Sequence, residues 1–147
     1  MEKKNLIKLL DEMFIPLGFK RKGNNWVSNG DVLSKVLNLQ KSNYSNAFYI
    51  NYGYIIRELE LTTTMHIFKG LGSIDSKENS KIIDLLDLEN SIPMEERLSN
   101  LKTIIYNKIV TDFQTTNTEE DILNDLKKRP HLNNIPLVVK RYFNLPE

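Results

Sequence analysis

A chain of 147 residues fits one ordinary domain, expected here over residues 1–147, and 20 basic against 19 acidic residues leave a formal net charge of +1, too little for a global field that recruits nucleic acid or an anionic membrane. The absence of cysteine excludes disulfides, thiolate zinc sites and thiol catalysis, and it is compatible with the reducing cytoplasm in which the chain is expected to reside. No run approaches the roughly 20 apolar residues of a membrane-spanning helix, and the amino terminus leads into an amphipathic pattern in place of a signal core.

Leu6, Ile7, Leu10, Met13, Phe14 and Leu17 recur at spacings of three and four, with charged residues between them, which predicts an amphipathic helix. It should stop before Pro16, which pushes Ile15 out of the helical region, and Gly18 allows the turn that follows.

From Gly18 to Gly53 the pattern changes to extended runs. Asn- and Gly-rich turns at Gly23–Asn25, Ser28–Asp31 and Ser42–Asn46 separate runs of β-branched, aliphatic and aromatic residues, the composition and punctuation of hairpins. Lys20, Arg21 and Lys22 open the first strand, with Arg21 pointing away from the other two. Side chains two apart share a face, so Asn38, Gln40 and Ser42 lie opposite Leu37, Leu39 and Lys41, and Tyr49 and Asn51 lie opposite Phe48, Ile50 and Tyr52. Trp26 suits a core with its N–H satisfied or a binding surface.

Residues Arg57 to Lys69 alternate, with Leu59, Leu61, Thr63, Met65 and Ile67 against Glu58, Glu60, Thr62, Thr64, His66 and Phe68. This predicts a half-buried strand, with the threonines as the place for a bulge. Glu58, Glu60 and His66 share a parity, but roughly 20 Å of strand separates the ends of that set, so no metal site is expected.

The second half reads as helices. Asp75 with Glu78 three residues later resembles a capping box and predicts a helix from about Lys77 to Glu89; Pro93 opens a second, and Thr118 with three acidic residues a third. Asn134-Ile135-Pro136 opens a short last helix. A helix, then strands, then helices is an α+β order. The expected architecture is an N-terminal helix, an antiparallel sheet of about four strands over roughly 19–69, and C-terminal helices on one sheet face.

The order Gly18-Phe19-Lys20-Arg21-Lys22-Gly23, Trp26, Asn38-Leu39-Gln40-Lys41-Ser42 and Tyr49-Ile50-Asn51 with Gly53 resembles a bacterial family classed as a domain of unknown function, number 4304. His66-Ile67, Leu71-Gly72 and Ile135-Pro136-Leu137 extend the resemblance. Phe68-Lys69-Gly70 departs from it, since members are usually more basic there. The resemblance implies no catalytic residue.

No nucleophile, base pair or phosphate loop is assembled by the sequence, and no cofactor is expected. The expected function is a non-catalytic binding module for another protein, with a toxin-neutralising or regulatory role as one version. Its candidate surface is Arg21, Trp26, Asn38, Gln40, Lys41, Ser42, Tyr49 and Asn51. The alternative is a small-molecule pocket between sheet and helices, gated by Trp26 and Tyr49. Nucleic acid is a weaker third reading.

Overall fold

The first helix, α1 (Lys3–Phe14), forms where the apolar stripe predicts it and buries Leu6, Leu9, Leu10 and Phe14. Its start is closed by the Asn5 side chain, whose Oδ1 accepts from the Glu2 N–H at 2.9 Å. A single 3₁₀ turn, Ile15–Leu17, absorbs Pro16, and Gly18 follows at φ +94°, a left-handed conformation that favours glycine. The computed structural model describes residues 1–61 and 63–147.

Five strands follow as a meander in which each pairs antiparallel with the next: β1 (Lys20–Lys22), β2 (Asn25–Asn29), β3 (Leu33–Lys41), β4 (Phe48–Ile56) and β5 (Ile67–Gly70). The count exceeds the expected four or so because β1 is only three residues long. Gly23, at φ +63°, turns β1 into β2.

The region 57–66 departs from the sequence reading. Alternation predicts a strand from Arg57, but β4 carries the pairing up to Ile56 and β5 begins only at Ile67. The intervening backbone finds a side-chain partner instead of a ladder. His66 Nδ1 accepts from the Ile56 N–H at 2.9 Å, and its Nε2 lies 2.8 Å from the Glu60 carbonyl, which requires the Nε2–H tautomer. Thr63 Oγ1 donates to the Met65 carbonyl at 3.1 Å, while Thr62, part of the predicted alternation, lies outside the described residues.

The helical layer comprises α2 (Ser76–Leu86), α3 (Met94–Ile105), a π-helical turn (Tyr106–Val110), α4 (Thr111–Thr115), α5 (Glu119–Lys127) and α6 (Leu137–Tyr142). Asp75 caps α2 by accepting from the Lys77 and Glu78 N–H groups, and Thr118 caps α5 through Asp121. The α2 helix ends at Leu86, short of the predicted Glu89, because Asp87 turns extended and bridges to Ala47.

Arg97 closes that helix end. Its buried guanidinium donates to the carbonyls of Asp84, Leu85, Asp87 and Asn90 at 2.7–3.3 Å, gathering acceptors that the last helical turn leaves free. Helices and sheet meet in one core, where Phe113 stands edge-on to Phe14, Tyr52 and Tyr54. Among the described residues, no helix is long and apolar enough to cross a membrane.

Candidate functional site

Strand register divides the sheet into a covered and an open face. Trp26 pairs with Leu37, which pairs with Tyr52, and all three are buried on the helical side. One residue along, Asn25 pairs with Asn38, Asn38 with Asn51 and Asn51 with Gly70, so a row of amides crosses β2, β3 and β4 on the opposite face.

The amides bond to each other. Asn38 Nδ2 donates to Asn25 Oδ1 at 2.8 Å, and Asn51 Nδ2 donates to Asn38 Oδ1 at 3.1 Å and to Gln40 Oε1 at 3.0 Å. This ladder orients every member and makes burial of Asn51, only 7% exposed, affordable. Gln40 stays exposed beside its cross-strand neighbour Tyr49, which is 53% exposed. Phe68, opposite Gly53, adds a second exposed aromatic, and Lys20 and Lys22 enter the same face from β1. No strand position on this face is aspartate or glutamate.

Gly53 explains why this face is closed at one end. A Cβ there would fall 2.7 Å from Met65 Sδ and closer still to the Ile67 carbonyl. Only glycine lets β5 and the chain before it approach so near.

Of the eight sequence candidates, Asn38, Gln40, Tyr49 and Asn51 come together on the open face. Ser42 shares their parity, but it is a turn residue: its N–H donates to the Ala47 carbonyl and its hydroxyl accepts from the Tyr44 N–H. Arg21, Trp26 and Lys41 belong to the other face. Trp26 is fully enclosed, with Nε1–H donating to Asp11 Oδ1 at 2.9 Å, and Arg21 Nε reaches the same oxygen at 3.1 Å. Lys41 donates to the Ser45 carbonyl at 3.0 Å, tying down the β3–β4 turn. By strand spacing Arg21 and Lys41 are roughly 16 Å apart, so they form no basic patch. The gate of Trp26 and Tyr49 fails for another reason: the two residues stand on opposite sides of the sheet.

The covered face holds its own polar groups. Asp112 accepts from the Tyr54 hydroxyl and from Lys69 Nζ at 2.8 Å; Lys69 also reaches Asp125, which pairs with Arg129 at 3.2 Å. Burial, and then the bond to Asp112, push the Tyr54 hydroxyl far above the usual tyrosine range. Lys35 donates to the Phe113 carbonyl and to Asn117 Oδ1 at 2.8 Å, and burial lowers the pKa of its ammonium. These two positions sit on elements far apart in sequence, and nothing in the sequence pattern marked them. Arg97 was equally hidden, because a charged residue on a helix surface reads as solvated until its partners are known. Among the described residues, no three His, Asp or Glu side chains converge as metal ligands.

The model of one family, described as a domain of unknown function, DUF4304, matches residues 10–128. This chain belongs to that family. The match spans the sheet and the helices through α5, so the amide ladder and Gly53 lie within the DUF4304 region and α6 lies beyond it. No curated protein and no solved structure matches the chain significantly.

Proposed function

We propose that this DUF4304 protein is a non-catalytic interaction module whose open sheet face docks an acidic surface of another protein. The supporting observation is the composition of that face: oriented amides, two exposed aromatics and two lysines, with no carboxylate at its strand positions, on a chain that has 19 acidic residues. Amides held by one another keep spare donors and acceptors in fixed directions, which favours specific recognition at low entropic cost. The central amides supply neither nucleophile nor base, and the two lysines stand exposed on β1, so binding suits this face better than catalysis.

A single-stranded nucleic acid fits less well. Tyr49 and Phe68 are separated by four residues and one strand, roughly 14 Å, too far to stack successive bases. The cysteine-free composition favours a cytoplasmic setting for the encounter.

The test uses tagged protein in lysate of the source organism, with Lys22→Glu, Gln40→Glu, Tyr49→Ala combined as the open-face variant and Lys81→Glu on α2 as control. An acidic protein retained in stoichiometric amount by wild type and control, and lost with the folded open-face variant, supports the reading. Retention by the open-face variant, or a retained species that is nucleic acid, overturns it.

A further inference from the structure

On the outer side of the helical layer, α1 and α3 diverge into a cleft with two lobes, of about 360 Å³ and 390 Å³, that share Leu9, Glu12 and Lys102. The first lobe has an apolar lining from Leu9 and Met13, one turn apart on α1, from Leu17 of the 3₁₀ turn that follows, and from Val110 across the cleft. Leu9 and Val110 are buried and form its floor, while Leu17 and Tyr106 are about half exposed and form its walls.

The far wall depends on the π turn. Lys102, Tyr106, Val110 and Gln114 all line the lobe, each four residues from the last. On an uninterrupted α-helix, residues four apart drift by about 40° per step, which would carry Gln114 well round the helix from Lys102. The wider Tyr106–Val110 turn offsets part of that drift and keeps the row facing the cleft. Such turns are rare and are frequently found at functional sites.

Glu12 and Lys102 stand where the lobes join, one from each wall, and among the described residues neither lies within 4.0 Å of an opposite charge. An apolar ligand with a carboxylate alone would set its charge beside Glu12, and one with an amine alone beside Lys102. A ligand carrying both satisfies both walls.

We propose that this cleft binds a small zwitterion with a large apolar side chain, an aromatic or long aliphatic α-amino acid. The Lys102 ammonium and the Tyr106 hydroxyl donate to the ligand carboxylate, Glu12 accepts from its ammonium, and the side chain lies over Leu9, Met13, Leu17 and Val110. The site is on the opposite side of the molecule from the amide ladder and stands independently of the docking role.

Calorimetric titration of the full chain with L-phenylalanine, L-leucine and L-tryptophan tests it. Saturable binding is expected for at least one, and the phenylalanine analogues lacking the carboxylate charge (the methyl ester), the ammonium (3-phenylpropionate) or the ring (alanine) should each bind roughly tenfold more weakly or worse. Lys102→Met and Glu12→Gln, both at exposed positions that leave the fold intact by circular dichroism, should each weaken binding by about the same factor, with Lys81→Glu unchanged. No saturable binding at millimolar ligand overturns the proposal, as does 3-phenylpropionate binding as well as phenylalanine, or affinity unmoved by both cleft variants.

Discussion

On the covered face of the sheet, polar side chains reach other elements: Trp26 and Arg21 meet Asp11 of α1, Lys35 meets the end of α4, and Tyr54 and Lys69 meet Asp112. On the open face, Asn25, Asn38, Gln40 and Asn51 bond to one another across adjacent strands. The same residue chemistry therefore serves two ends. Covered-face bonds fasten helices to the sheet, and removing one partner strands a buried group; open-face bonds orient a surface, and truncating an exposed member such as Gln40 leaves Asn51 its second acceptor, Asn38.

Gly53 is the exception that tests this contrast most severely, because it lies on the open face yet is structural. Gly53→Ala should cost about 4 kcal/mol or more, read by urea denaturation, since β5 must leave β4 to admit the methyl group. A loss of less than about 1 kcal/mol would mean that β5 is not held as described. Asp112→Ala comes next, at roughly 2–4 kcal/mol, because it leaves the Tyr54 hydroxyl and Lys69 without their shared acceptor. Asp11→Ala should cost about 1–3 kcal/mol and red-shift no Trp26 emission, since the indole stays enclosed, while Asp11→Asn should recover much of the loss.

On the open face, Gln40→Ala and Tyr49→Ala should each change stability by roughly 0.5 kcal/mol or less while carrying the loss of partner binding. Equal costs on both faces would erase the contrast. The smallest effect belongs to neither face. Bonds from the Asn117 and Thr118 backbone hold the Asp121 carboxyl below the usual aspartate range. A depressed folded-state value means that its contribution is present at neutral pH and is lost as pH falls through that value. Asp121→Asn should therefore flatten the acid limb of the melting-temperature profile slightly.

The comparison also explains what was legible in the sequence. Period-two parity separated Leu37 and Leu39 from Asn38 and Gln40 correctly, because a strand fixes sidedness locally. Parity likewise put Lys41 with the leucines, against its inclusion in the amide surface. What parity lacks is a way to say which face the helices choose, and so a surface drawn from sequence joins Trp26 and Arg21 to residues from which the sheet divides them. The alternation of residues 57–69 misled for a related reason: it reports which side chains are apolar, and the loop before β5 buries Met65 and His66 without pairing as a strand. Capping residues Asp75 and Thr118 were legible because a cap and its helix are adjacent in sequence, whereas the clasp of Arg97 on the end of α2 and the link from Lys69 to Asp112 join elements that only the fold brings together.

The meander has a kinetic consequence. Because every strand pairs with its chain neighbour, the sheet closes through local loops, and the β3–β4 hairpin, with nine residues in each strand, is available as soon as residues up to Ile56 exist. Of the helices that shield its apolar side, α1 precedes the sheet but α2 to α6 are encoded later, from Ser76 onward, so the growing chain holds Leu37, Leu39, Ile50 and Tyr54 with only part of their cover until those helices are made. That interval is when this protein is most prone to aggregate, and slowing elongation beyond β5 should lower its soluble yield more than slowing it before β3.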